Sequence, residues 1–161
     1  MTVLLLITMK SLLRVVLCYP QIPPNTGCIA RTCAATQTAL HLVEPLGFDI
    51  SDKSLKRAGI DYWSSVDISI HPSFDEFQSK RARGRLIAFS PRGTVPYQSF
   101  KYQPGDYLIH GAELEGLPDS ILECADSVAY IPITSTSVRS LNLAVSASLS
   151  LYEALRQLNI T

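Results

Sequence analysis

Leu108-Ile-His-Gly111-Ala-Glu113-Leu-Glu115-Gly116-Leu-Pro118 is the stretch on which the reading of this chain turns. Asp106–His110 reads as a buried strand, and two glycines bracketing an acidic pair follow it at once. Glycine allows close approach to the backbone and permits positive φ. In open α/β sheets, ligands sit beyond the carboxyl ends of the strands. The same residues also fit a plain turn with two glycines, so the neighbouring segments have to decide.

Outward from that stretch, short apolar runs alternate with helical stretches. Arg14-Val-Val-Leu-Cys18 is continuous and β-branched, as buried parallel strands are. Pro20 to Pro24 breaks it, and Asn25 or Thr26 can cap a helix to about Thr36. His41–Glu44, Val66–Ile70, Arg85–Phe89 and Val128–Ile131 read as further strands, which makes six with 14–18 and 106–110. Ser51–Ala58 and Ser73–Lys80 read as short helices. A long last helix over 140–158 puts Leu141, Ala144, Val145, Ser148, Leu151, Tyr152 and Leu155 on one side at the 3.6-residue period. This alternation predicts an α/β fold with a mostly parallel sheet flanked by helices. Residues 1–161 form a single domain on this reading, with 1–13 as an N-terminal extension.

Composition sets limits on function. The chain is 47% apolar and 17% charged, the balance of a soluble globular domain. Lys and Arg number 14, as do Asp and Glu, which argues against a strongly basic, sequence-indifferent nucleic-acid binder. The charge is uneven, however: residues 1–85 hold 10 basic against 7 acidic residues, and 86–161 hold 4 against 7. A polyanion is better met by the first half. Cys18, Cys28, Cys33 and Cys124 have no zinc spacing and read as reduced, mostly buried thiols. No metal site is expected. The apolar run Val3–Ile7 is too short for a signal peptide or a membrane span, so a cytoplasmic protein without membrane attachment is expected. No dinucleotide fingerprint, phosphate loop, nucleophile elbow or paired-histidine zinc motif occurs. His41, His71 and His110 lie far apart in sequence and read as strand residues.

Two further segments add to the first. Pro20-Gln-Ile-Pro-Pro-Asn-Thr-Gly-Cys-Ile-Ala-Arg31 leads a stiffened loop into a helix that carries Arg31. A helix N-terminus attracts phosphate, and an arginine adds a two-pronged donor; a capped helix with a solvent-facing arginine fits the same residues. Ile131-Pro-Ile-Thr-Ser-Thr-Ser-Val-Arg-Ser140-Leu-Asn142 is a long polar loop before the last helix, where Ser140 can act as the cap.

Together these segments resemble the SPOUT superfamily, and within it the tRNA wobble-nucleotide ribose 2′-O-methyltransferases of the TrmL (YibK) type. The resemblance runs from Arg14 to Leu158. It includes Pro-Pro-Asn-Thr-Gly at 23–27, Leu-Val-Glu-Pro-Leu-Gly-Phe at 42–48 and Leu-Lys-Arg-Ala-Gly-Ile-Asp-Tyr at 55–62. Gly-Asp-Tyr-Leu at 105–108 and Tyr-Glu-Ala-Leu-Arg-Gln-Leu at 152–158 extend it.

The resemblance implies an α/β-knot fold with a C-terminal trefoil knot, a topology that local reading would never propose. It implies S-adenosylmethionine as methyl donor, held by Phe89, Gly111, Ile131 and Ser140 with Ser90, Ala112 and Leu141 beside them. It implies a homodimer acting on the tRNA anticodon loop, with Arg31 as the catalytic residue, facing the cofactor pocket and the RNA. Lys53, Lys56 and Arg57 are candidate RNA contacts, as is the run Lys80-Arg-Ala-Arg-Gly-Arg85, which fits a solvated basic surface equally. Tyr62 and Trp63 suit either base stacking or an interface or core. A methyltransferase for rRNA or another tRNA position, and a catalytically silent binder, are the alternatives. Two departures stand out. The family's Gly-Pro-Glu-Thr-Arg-Gly is Gly111-Ala-Glu-Leu-Glu-Gly116 here, so Glu115 reverses a charge. Its Asn-Leu-Ser-Asn-Ala is Asn142-Leu-Ala-Val-Ser146.

Overall fold

The computed structural model describes residues 12–51, 53, 55 and 60–160. Among these residues seven strands form one sheet: β1 (Leu13–Cys18), β2 (Ala39–Val43), β3 (Ile68–His71), β4 (Leu86–Phe89), β5 (Val95–Pro96), β6 (Asp106–His110) and β7 (Ser127–Tyr130). Their order is β3-β2-β1-β6-β4-β7-β5, and every pairing is parallel. The expected strands are all present, shifted by at most two residues at an end. Sequence reading missed β5, whose two residues are too few to carry a periodic signal.

The helices are α1 (Pro23–Thr36), α2 (Phe74–Lys80), α3 (Asp119–Cys124) and α4 (Leu143–Gln157), with a 3-10 turn at Ile60–Ser65. The strands explain where they sit. Side chains alternate across a pleated strand, and each central strand splits its apolar residues between two cores. Val15 and Leu17, Ile87 and Phe89, and Leu108 face α1 and α4. Val16 and Cys18, Leu86 and Ala88, and Tyr107 and Ile109 face α2 and α3. Strands buried on both faces need apolar residues at every position, and this produces the continuous runs at 14–18 and 106–110.

Three expectations about the helices need correction. α1 begins at Pro23, with Ile22 at the cap position; neither Asn25 nor Thr26 caps it. Prolines suit the first helical positions because their missing N–H would be unpaired there anyway. α4 begins at Leu143 and is capped by Asn142, whose side chain accepts from Ala144 N at 2.8 Å; Ser140 is not the cap. Its buried face is also displaced, and of the expected stripe only Leu151 and Leu155 are buried. Leu143, Ala147, Ser150, Leu151, Ala154 and Leu155 are buried, whereas Val145 and Tyr152 are 47% and 48% exposed. The helix expected at 51–58 falls mostly outside the described residues, as do residues 1–11. The thiols divide evenly: Cys18 and Cys33 are buried, Cys28 and Cys124 exposed, so they are not mostly buried.

Candidate functional site

A cavity of about 350 Å³ opens at the carboxyl ends of β4, β6 and β7, walled by the loops that follow them. Phe89, Ser90, Gly111, Ala112, Ile131, Ser140 and Leu141 all line it. Segments separated by tens of residues meet here because β6 lies beside β4, and β4 beside β7. The volume falls within the range of small-molecule sites.

Much of the wall is main chain. A Cβ at Gly111 would overlap the carbonyl carbon of Gly116 across the loop, so only glycine fits. Gly116 closes the turn at φ +69° and donates its N–H to Ala112 O at 2.9 Å. The bracketing glycines therefore make a tight loop that presents backbone to the cavity, with apolar side chains from Phe89, Leu117, Ile131 and Leu143 around it.

Sequence reading missed the role of Glu113. Its carboxylate accepts from Gln21 N at 2.8 Å, Ile22 N at 3.0 Å and Asn25 Nδ2 at 3.2 Å. The opening of α1, which on sequence suited either a phosphate or an ordinary capped helix, is thus occupied by a carboxylate from the cavity loop. An anion is favoured there by free N–H groups and the helix dipole. Asn25 Oδ1 in turn accepts from Asn142 Nδ2 at 2.9 Å. Asn25 therefore ties together the three segments singled out in the sequence: the α1 opening, the glycine loop and the start of α4. Nothing local signals these bonds, because the partners lie 88 and 117 residues apart.

His110, the last residue of β6, forms the floor. Its ring stacks on Phe89 with centroids 4.7 Å apart, and Nε2 lies 3.0 Å from Ser150 Oγ. The Ser150 hydroxyl donates to Ala147 O at 3.0 Å, so its single proton is used. His110 Nε2 must then carry the proton that it donates to Ser150. Burial pushes the His110 pKa down to about 3, so the ring is neutral at physiological pH.

Arg31 stands elsewhere. It is exposed on α1, with its guanidinium 5.0 Å over the ring of Tyr62, and is absent from the cavity wall of its own chain. Tyr62 is 42% exposed, whereas Trp63 packs against the core, so the two aromatics play different parts. Lys53 is exposed, and Lys56 and Arg57 lie outside the described residues. Glu115 is exposed on the cavity rim. Among the described residues no group of His, Cys, Asp and Glu side chains is arranged to hold a metal.

Known proteins share this architecture. The tRNA (cytidine(34)-2′-O)-methyltransferase of Saccharophagus degradans is 47% identical over 146 residues, covering 89% of this chain and 94% of that protein. A solved structure described in terms of 2-OH methylation of C/U34 on tRNA superposes with a TM-score of 0.89 at 45% identity, over 93% of this chain and 98% of that one. An AdoMet-bound rRNA methyltransferase from Sinorhizobium meliloti gives 0.83 at 27% identity, over 94% of this chain and 58% of that one. The pattern of the SpoU rRNA Methylase family matches residues 12–152, and the chain belongs to that family.

Proposed function

We propose that this protein transfers a methyl group from S-adenosylmethionine to the ribose 2′-hydroxyl of the wobble nucleotide, position 34, of tRNA. The observation that carries the reading is the meeting of Phe89, Ser90, Gly111, Ala112, Ile131, Ser140 and Leu141 in one cavity at the strand ends. The relatives named for cytidine 34 and C/U34 supply the substrate class, and the AdoMet-bound relative supplies the donor. The cavity suits that donor: apolar walls accept a base and an aliphatic chain, and backbone groups of the 111–116 loop offer hydrogen bonds. The donor brings a methyl group already activated on a sulfonium.

The residues of the chain then have two tasks, to align the reacting atoms and to manage one proton. Alignment alone can contribute several kcal/mol, up to about 7–11 in ideal cases. The Glu113–Asn25–Asn142 links hold the cavity loop, α1 and α4 in fixed relation, so Arg31 keeps its position relative to the cavity loops. Arginine holds its proton too firmly to act as a base. In this reading Arg31 grips a phosphate beside the target ribose and stabilises charge developing on the 2′-oxygen. Lys53, Lys56 and Arg57 add phosphate contacts.

A cytoplasmic homodimer is part of the proposal. Arg31 does not line the cavity of its own chain, so an RNA site shared between protomers accounts for it. Val145, Leu149 and Tyr152 form an exposed apolar stripe on α4 that a second copy would cover. The trefoil knot belongs to the same reading; the insertion of β6 between β1 and β4 and the tight crossing at Gly111 support it.

The test combines purified protein, methyl-labelled S-adenosylmethionine and tRNA lacking its wobble methylation, followed by nuclease digestion. Label should appear in a 2′-O-methylated nucleotide at position 34 and be lost in Arg31→Ala. Near-full activity in Arg31→Lys would sink the two-pronged role of Arg31. Donor binding without label in tRNA would move the substrate to rRNA or leave a silent binder.

A further inference from the structure

The opposite end of the sheet holds a second cavity, of about 420 Å³, walled by Arg14, His41, Asp67, His71, Lys80 and Arg81 around Tyr107. It has no part in the cleft beyond β4, β6 and β7. Tyr107 is buried, and two guanidinium groups pack on its ring, Arg14 at 4.7 Å and Arg81 at 5.5 Å. Each arginine is anchored at one side. Arg14 Nη1 donates to Gly105 O at 3.1 Å; Arg81 Nη1 donates to Gly84 O at 2.8 Å and Nε to Gln78 Oε1 at 2.7 Å. Among the described residues, Nη2 of each arginine is left unbonded.

The two histidines, both neutral, share one hydrogen bond and leave one ring N–H free as a donor. His41 Nδ1 and His71 Nε2 lie 2.9 Å apart, so one ring donates to the other. Neither forms a hydrogen bond with a carboxylate among the described residues. Burial, then the neighbouring His71 and Arg14, push the His41 pKa down to about 4; burial and Lys80 lower that of His71. Lys80 pairs with Glu76 at the outer edge. Among the described residues Asp67 is the one carboxylate on the wall itself, and of the three cations there Lys80 already carries Glu76 as a partner.

The structure also divides the basic run at 80–85. Arg85 is committed to the buried Asp106 by a two-pronged pair at 2.9 and 2.7 Å, whereas Lys80 and Arg81 turn to the cavity. Stacked, half-anchored arginines are preorganised to receive planar or tetrahedral oxyanions. The cavity exceeds what one bare ion needs, leaving room for the carbon side of an ester.

We infer that this cavity is a binding site for a phosphate ester, recognised by Arg14, Lys80 and Arg81 around the His41–His71 pair. Two sources share this chemistry, a small phosphorylated metabolite and a phosphodiester of bound RNA. The inference stands independently of methyl transfer.

The experiment titrates inorganic phosphate into the full-length protein and follows the ring C–H signals of His41, His71 and His110 by NMR. The His41 and His71 signals should shift saturably. Losing a charged hydrogen-bond donor costs about 1.5–3 kcal/mol, so Arg81→Gln should weaken the affinity about tenfold or more. Lys80→Gln, at an exposed position that does not support the fold, should weaken it as well. An unchanged His110 signal shows that each variant is folded. Added tRNA that abolishes the phosphate-induced shift assigns the site to RNA backbone; tRNA that leaves it intact assigns the site to a small ester. Absence of a saturable shift in the unmodified protein, or an equal shift in both variants, overturns the inference.

Discussion

The two ends of the sheet are built on different principles. At the carboxyl ends of β4, β6 and β7 the cavity is made by loops, with main chain and apolar side chains as much of its wall, Arg92, Glu113, Glu115 and Arg139 among its lining residues, and a neutral, buried His110 as its floor. At the other end the cavity is made by side chains that project from β1, β2, β3, β6 and the end of α2, and half of them are cationic or imidazole. A wall of backbone tolerates drift in side-chain identity but not a change of loop path. A wall of charged side chains tolerates movement of the backbone but not loss of a head group. The same kind of substitution should therefore have unequal effects at the two ends.

The largest expected effect follows from the loop-built end. Gly111→Ala forces a Cβ into the Gly116 carbonyl, which no side-chain rotation relieves. Displacement on the order of 1 Å near reacting groups can cost about a hundredfold in rate. Methyl transfer should fall by at least that much, while the phosphate response of His41 and His71 stays intact. If both are lost together, the two ends are not independent.

Next comes Glu113→Ala. It removes the acceptor for two N–H groups and for the Asn25 side chain at the opening of α1. Urea denaturation should show a loss of about 2 kcal/mol, in line with bonds to a charged acceptor. Glu113→Gln should recover part of it, since one amide oxygen can still accept. Equal stability of Glu113→Ala and the unmodified protein would mean that the carboxylate does not hold the segment leading into α1.

Acidification compares the ends directly. His110 and His41 titrate near 3 and 4 in the folded chain, below the ordinary 6.5. For a histidine held neutral by burial, the unfolded chain binds more protons once pH drops below its ordinary value. Stability is therefore full above about 6.5 and is lost progressively as pH falls toward the folded values. Thermal melts between pH 7 and 4 should show this decline. His110→Gln should flatten it more than His71→Gln does, because His110 is the more fully buried. A melting temperature independent of pH over that range would contradict the neutral assignment.

The smallest effect concerns Thr26. Its hydroxyl is buried with no hydrogen-bond partner among the described residues. Thr26→Val keeps the shape and removes the unpaired group, and should stabilise the fold by about 1 kcal/mol in chemical denaturation. Destabilisation instead would reveal a partner for that hydroxyl.

Legibility of the sequence differs between elements for physical reasons. β1, β4 and β6 could be read because strands buried on both faces must be apolar throughout, and Asp106–His110 was placed to the residue. α2 could be read from Ser73, whose hydroxyl accepts from Glu76 N at 3.1 Å. β5 and α3 were missed because two and six residues are too short for periodicity to register. α4 had the right period and the wrong phase. Val145 and Tyr152 look like core residues, yet the buried face interleaves Leu143, Leu151 and Leu155 with the smaller Ala147, Ser150 and Ala154, which permit close approach. Within the site, all seven expected lining residues met in one cavity, but Arg31 lies away from it, and the role of Glu113 was not foreseen.

By itself, the sequence determined the alternation of strands and helices and the glycine loop after β6, because these are written in local spacing, and the family resemblance, because it is carried by the residue identities of short motifs. Only the tertiary structure decided that Glu113 closes α1, that His41 meets His71, and that Lys80 and Arg81 part company with Arg85. The contacts behind them, Gln21 with Glu113, His41 with His71 and Arg85 with Asp106, join residues 92, 30 and 21 positions apart. Period specifies that an element forms and of which type; which of its faces is buried, as α4 shows, and which distant faces touch are set by the order in which the strands assemble, and that order is a property of the whole sheet.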